Sequence, residues 1–387
     1  MILKQQDTFF KEKGAYETIK EIRQQPQMWL DTLNIINDKK EEIDVFLNSF
    51  FANQDYRIIL TGAGSSEFVG NSMTDNLLRM YDDRIESIAT TRIVSNPELY
   101  ISDKATLLIS FGRSGNSPES IAAVELADQL SSNVYHIIIT CNKESSIATF
   151  DSRNKKLVIC LPDETHDKGF AMTSSFTSMY LAAYTILNLD KYDSIKSEIV
   201  KVNSNIEVFN NDYLQILDDK LTAFEYNRIV YLGANSLKGI AQESALKMLE
   251  LTTGDVVSLH DTPLGFRHGP KSFITDKTLI VLYATTSEYT QKYDLDLFNE
   301  IVGNGVAKVL VVGAESGKEL YKDAYLQVNF DSELSVFAYS LIDLYIAQNI
   351  SVHKSLTLNK TTDNPFPSGV VNRVVQGVVI HKYNKGE

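Results

Sequence analysis

Strand-like runs in the first half of this chain return in the second half at a nearly constant distance, and that repetition limits the fold more than any other feature. "RIILTGAGSS" at 57 answers "RIVYLGANSL" at 228, "KATLLIS" at 104 answers "KTLIVLY" at 277, and "VYHIIIT" at 134 answers "AKVLVVG" at 307, offsets of 171, 173 and 173. A register kept this closely is the mark of a duplicated unit. Within the first half, "RIILT", "ESIAT", "ATLLIS", "VYHIIIT" and "KLVIC" alternate with helical stretches that open near Ser66, Ser117 and Ser175. Near-continuous apolar strands between helices imply a parallel sheet covered on both faces. The expected fold class is α/β, as two tandem doubly wound parallel-sheet domains.

The residues before this pattern carry apolar side chains at helical spacing, among them Ile35, Ile36, Ile43, Val45 and Phe46, and predict an N-terminal helical extension. The expected division is 1–45 helical extension, 46–200 first domain, 201–375 second domain and 376–387 C-terminal tail. The stretch "YDSIKSEIVKVNSNIEVFNNDY" between the copies has neither proline nor glycine and is expected to be helical.

Composition excludes some partners. A formal charge of −13 opposes nucleic acid or an anionic membrane, because both are repelled at long range. A small anionic substrate stays open where a few local donors overcome that field. Cys141 and Cys160 lie in or beside apolar runs and read as buried structural thiols, which suit a reducing cytoplasm. The amino terminus has no basic region followed by an apolar block, and no apolar run approaches the roughly 18 residues of a spanning helix. The expected localisation is cytoplasmic.

Gly62 and Gly64 after the first strand suggest a dinucleotide loop. That fingerprint needs a small residue where Glu67 stands and an acid at the end of the next strand, where Thr90, Thr91 and Arg92 occur. No Gly-Lys-Ser/Thr follows, so the Walker loop is absent too. What remains is a helix start bearing Ser65 and Ser66. The next strand-to-helix turn, "SFGRSGNSPES", presents Arg113, Ser114, Gly115 and Ser117. Two hydroxyl-rich helix starts on neighbouring strand ends, with one guanidinium, make a phosphate pocket. Serine is also simply a good helix cap. The second copy discriminates: "GANSLKG" and "LYATTSEYTQ" keep the strands and lose the glycine-serine chemistry.

"GAGSS", "SFGRSGNS" and the paired α/β units resemble sugar isomerase (SIS) domains. The order of features, with "IKEIRQQPQMW" near the start and "DNPFPSGVVNRVVQG" near the end, is similar to AgaS-type tagatose-6-phosphate ketose/aldose isomerases, also described as galactosamine-6-phosphate deaminases. The resemblance implies that Ser66, Ser114 and Ser117 contact a sugar phosphate. Ser65 and Arg113 are further phosphate-binding candidates, and Gly64, Thr173 and Arg373 are other substrate-site candidates.

The second copy holds the most unusual helix, "GIAQESALKMLELTTG". Glu243, Lys247 and Glu250 fall within an arc of about 60° on a mostly apolar helix. Solvated ion pairs at these spacings contribute only a few tenths of a kcal/mol. A partly buried stripe is another matter, since a carboxylate beside a lysine out of bulk water can be tuned to carry protons. "HDTPLGFRHGPKSF" follows and is expected to be a loop bearing His260, Arg267 and His268. By resemblance to the isomerase half of glucosamine-6-phosphate synthase, Glu250 matches the carboxylate that moves a proton between C1 and C2. His268 matches the ring-opening imidazole, and Glu243 and Lys247 match supporting positions. In relatives that histidine comes from the neighbouring subunit, which implies a homodimer or higher homo-oligomer with shared active sites. A lysine of the synthase is matched here by Gln376, with Arg373 close by.

Moving a carbonyl from C1 to C2 needs a base and a group that opens the hemiacetal, neither of which demands a cofactor. The histidines show no HxxxH spacing, so no metal is expected. A non-catalytic sugar-phosphate sensor is the alternative, as is an isomerase of a non-amino or gluco-configured sugar phosphate.

Overall fold

In the computed structural model, which describes residues 2–331, 333–375 and 377–384, two five-stranded parallel sheets share one topology. The first is built from β1 (Tyr56–Thr61), β2 (Ile85–Ser87), β3 (Ala105–Gly112), β4 (Val134–Thr140) and β5 (Lys155–Cys160), in the order β2-β1-β3-β4-β5. The second is built from β6 (Arg228–Gly233), β7 (Val257–Asp261), β8 (Thr278–Tyr283), β9 (Lys308–Ala314) and β10 (Leu326–Phe330), in the order β7-β6-β8-β9-β10. Each copy thus reverses strand order between its first and third strands. This switch point is where the carboxyl ends of an open sheet leave a crevice.

The strands read as apolar runs because both faces are covered: every residue of β3 and of β8 is buried. Ile59 and Leu108 pack with Ile93, Ala123 and Ala127 in the first copy, and Val230, Leu282 and Val311 with Leu297, Phe298 and Ile301 in the second. Burying such a side chain is worth about 1.5–3 kcal/mol. One element departs from the sequence reading. His260 lies on strand β7, paired with Tyr231, rather than in a loop. β7 has no fully buried position, so it lacks the apolar run that marks the other strands.

The chain divides into two compact units. One comprises Met1–Pro26, Lys168–Ala171 and Lys196–Pro367 and carries β6 to β10; the other comprises Gln27–Asp167, Met172–Ile195 and Ser368–Glu387 and carries β1 to β5. The division falls inside the Tyr16–Asp38 helix, at Pro26. Proline cannot donate to the carbonyl four residues back. Gln25 Nε2 donates to that carbonyl, Ile22 O, at 3.0 Å, so the freed acceptor is satisfied. The stretch between the copies is helical over Tyr192–Val208, then passes through a wide turn at Phe209–Tyr213 into the Leu214–Ala223 helix. Among the described residues no helix is long and apolar enough to cross a membrane.

Candidate active site

The unit with β1 to β5 places two turns at its switch point, one after β1 and one after β3. A Cβ on Gly62 would lie 2.4 Å from the Ser66 carbonyl carbon, so only glycine lets the following helix close onto the strand. Gly64 has φ of 57°, and the Ser65–Asn71 helix starts immediately after it. In the second turn Gly115 has φ of 60°, and a Cβ there would meet Ser145 at 2.6 Å. That turn is fixed from outside as well: Asn142 Nδ2 donates to Ser114 O at 3.2 Å, and Ser146 N–H to Asn116 Oδ1 at 2.8 Å.

Between these turns is a cavity of about 110 Å³ lined by Ser66, Arg113, Ser114, Ser117, Met172 and Arg373, with Glu119 and Ser120 at its side. Arg113 is only 7% exposed, and its Nη2 donates to Arg373 O at 2.9 Å. The guanidinium is therefore held at the cavity wall. Ser117 and Ser120 share a hydrogen bond of 2.6 Å between their hydroxyls. The lining offers one buried cation and several hydroxyls, the donor set that a dianionic phosphoryl group requires.

Of the residues expected from sequence, Ser66, Arg113, Ser114, Ser117 and Arg373 come together here. Ser65 is buried in the same turn as Gly64, outside the lining. Thr173 is set apart: fully buried, it donates its hydroxyl to Asp167 Oδ1 at 3.2 Å and its N–H to Oδ2 at 2.8 Å. The same carboxylate accepts from Ser174 Oγ and Ser175 N–H and so caps the Ser174–Leu187 helix. Met172, whose sulfur lies 3.8 Å from Ser66 Oγ, was not legible in the sequence. Neither was His166, whose imidazole is held below its usual pKa by burial and then by the guanidiniums of Arg373 and Arg113. Gln376 lies outside the described residues. Burial pushes the Cys141 thiol well above its usual range, so it stays protonated and unreactive.

The unit with β6 to β10 carries the charged stripe on the Leu237–Leu251 helix. Lys247 Nζ lies 3.1 Å from Glu243 Oε1 and 2.7 Å from Glu250 Oε2. The Glu243 and Lys247 side chains are 0% and 1% exposed, that of Glu250 25%. The stripe therefore runs from the interior to the surface and ends on one open carboxylate. Burial alone lowers the Lys247 pKa, but the two carboxylates outweigh it and raise it above the usual value, so the ammonium persists. Desolvation makes such a triad costly unless each charge is paired. Here one cation serves two anions, leaving one negative charge, and only Glu250 is placed to give it to a substrate.

His268 lies between the short helical turns Pro263–Phe266 and Pro270–Phe273, with its imidazole exposed. Its neighbour Arg267 is engaged elsewhere, with Nη2 2.6 Å from Glu300 Oε2. His260 is half-buried on β7, and burial, then Lys238, hold it below its usual pKa.

A duplicated doubly wound sheet, a hydroxyl-lined cavity with a buried guanidinium at one switch point and a partly buried carboxylate on a helix point to a class of phosphosugar-handling proteins. The chain belongs to the SIS domain family, whose model matches residues 50–189 and 224–357. Within that family it is similar to the D-galactosamine-6-phosphate deaminase AgaS of Shewanella sp. (strain ANA-3), 40% identical over 380 residues that cover 96% of this chain and 93% of the relative. The D-galactosamine-6-phosphate deaminase AgaS of Escherichia coli is 37% identical over 374 residues, covering 95% of this chain and 96% of its own length. The crystal structure of tagatose-6-phosphate ketose/aldose isomerase from Escherichia coli superposes with a TM-score of 0.85 at 35% identity, covering 95% of this chain and 96% of that one.

Proposed function

We propose that this chain is an aldose–ketose isomerase of hexose 6-phosphates that converts galactosamine-6-phosphate and water into tagatose-6-phosphate and ammonia. The observation that carries this reading is the Glu250 carboxylate, presented at the open end of a buried Glu243–Lys247 pair. The similarity to AgaS deaminases over nearly the whole chain supports the substrate.

Arg113, Ser66, Ser114 and Ser117 hold the phosphate, and Arg373 adds a second guanidinium. His268 opens the pyranose. Glu250 then removes the C2 proton of the open-chain aldehyde, the C2–H pair forming a C1=C2 bond while the carbonyl pair goes to O1, which takes up a proton. As the C2 proton is returned to C1, the nitrogen lone pair forms C2=N with loss of an N–H proton, giving a ketimine. Water adds at C2 and ammonia leaves, giving the ketose; without an amine the same transfer is a plain isomerisation. Lys247 and Glu243 act through Glu250: the ammonium, 2.7 Å from the carboxylate, holds it aimed, and Glu243 keeps the ammonium in place. In this reading residues 46–200, joined by Arg373, recognise phosphate, and the helix and His268 turn within 201–375 move protons; the enzyme is cytoplasmic, and it works as a homodimer or higher homo-oligomer in which the exposed His268 serves a neighbouring copy.

Incubation with galactosamine-6-phosphate, glucosamine-6-phosphate and tagatose-6-phosphate, with ammonia and ketose measured, tests this. Ammonia and tagatose-6-phosphate in equal amounts from the galacto substrate are expected. Turnover of the gluco substrate alone, or phosphosugar binding without any turnover, overturns the reading.

A further inference from the structure

At the carboxyl edge of the second sheet, where β8, β9 and β10 end, is a cavity of about 250 Å³ that no step above uses. Thr285, Thr286, Gln291, Ser316 and Asn329 supply hydroxyls and amides to its wall, and no arginine or lysine is among the described residues that line it. Tyr321, only 2% exposed, also lines it, and its hydroxyl is buried with no hydrogen-bond partner among the described residues. A buried hydroxyl without a partner is destabilising, and a ligand reaching it would supply the missing hydrogen bond. Glu288, in the first turn of the Glu288–Asn304 helix, contributes the one charged side chain among the described residues of the wall.

The chemistry of this wall selects its occupant. A phosphate would meet a carboxylate and no cation in a protein of formal charge −13, and is rejected. Mixed neutral donors and acceptors around a small void match a ligand that is itself rich in hydroxyls. A carboxylate at the rim adds a place for an ammonium. We propose that this cavity is a second binding site, for an unphosphorylated monosaccharide, with an ammonium-bearing hexosamine preferred over the neutral hexose. This assignment rests on the cavity alone and not on the proposed reaction.

Titration calorimetry of the full chain with D-galactosamine and D-galactose, repeated with excess inorganic phosphate, tests it. Both sugars are expected to bind, with phosphate leaving the binding unchanged. Gly317→Leu fills the void, since a Cβ there meets only Gln291 Nε2 at 3.6 Å and Tyr321 Cε2 at 3.7 Å. Ser316→Leu, at an exposed lining position, is the second filling variant should the first lower the melting temperature. Either is expected to weaken both sugars by at least about tenfold, and Glu288→Gln to weaken galactosamine alone by about tenfold. No binding of either sugar at about 20 mM, unchanged binding in both filled variants, or displacement of the sugar by phosphate would each overturn the assignment.

Discussion

The two switch-point crevices of this molecule share a backbone and differ in chemistry. Gly62 and Gly233 do the same job, for a Cβ on either would come within 2.4–2.5 Å of the helix that follows. Gly64 and Asn235 have the same left-handed φ, 57° and 53°. Beyond the turn the copies part. Ser66 gives way to Leu237. The pairing that sets Thr61 beside Ser110 sets Leu232 beside Leu282, which carries Arg113 and Ser114 onto Thr285 and Thr286. Asp343 and Tyr339 line the second crevice, where the first has a guanidinium. Burial holds the Asp343 carboxyl well above the usual carboxylate range. Duplication therefore preserved what the fold needs, a glycine under a helix start and a left-handed residue after it, and released the anion chemistry. The second copy put its charge on the flank of the Leu237–Leu251 helix instead.

The largest effect that would sharpen this contrast is at His268. If its imidazole only opens the ring, His268→Ala loses about 10²–10⁴-fold of turnover on the cyclic substrate while an acyclic analogue still exchanges its C2 hydrogen. NMR in deuterated water reads both rates, and equal losses would mean that His268 shares the proton shuttle. Lys247→Met comes next. It leaves the buried Glu243 carboxylate without its cation, so the fold is expected to lose about 3–5 kcal/mol by denaturant titration. A variant with unchanged stability would mean that the ion pairs are solvated and the stripe has no buried end.

Converting one crevice to the other's chemistry tests the comparison itself. Arg113→Thr gives the first copy the residue of the second, and phosphate affinity is expected to fall by about 1.5–3 kcal/mol, read as loss of inhibition by inorganic phosphate. Undiminished inhibition would move the cradle elsewhere. A further test is a pH dependence carried by the second copy. Asp294 is 1% exposed, accepts from Thr285 N–H at 3.1 Å, and burial raises its pKa to about 7. Its folded pKa lies above the unfolded value of about 4, so its contribution to stability is full below pH 4 and is lost as pH rises toward 7. Asp294→Asn is expected to remove that decline, a difference on the order of a few kcal/mol between wild-type and variant unfolding curves. Parallel curves from pH 4 to 7 would show that Asp294 titrates normally.

Much of this contrast was legible in the sequence, for physical reasons. Strands buried on both faces must be apolar throughout, so β1, β3, β4, β6, β8 and β9 announced themselves, and their shared register exposed the duplication. β7 did not, because its half-exposed positions carry Ser258, His260 and Asp261 in place of a run. Ser66, Arg113, Ser114 and Ser117 could be brought to one crevice from sequence because the loops that hold them are local. The contact between Arg113 and Arg373 spans 260 residues, and no spacing rule reaches that far. Thr173 misled for the opposite reason. Its hydroxyl looked available until folding committed it to Asp167, a buried cap that periodicity does not reveal. The helix stripe predicted partial burial, but not its gradient, with Glu243 and Lys247 closed off and Glu250 open.

The central claim is that binding belongs to the first copy's crevice and proton transfer to the second copy's helix, and Glu250→Gln tests it most directly. The amide matches the carboxylate in shape and cannot accept a proton. Ammonia release from galactosamine-6-phosphate and inhibition by inorganic phosphate are measured on the same preparation. The account predicts turnover reduced by about 10²–10⁴-fold with phosphate inhibition unchanged. Turnover above about a tenth of wild type, or a loss of phosphate binding parallel to the loss of turnover, would contradict it.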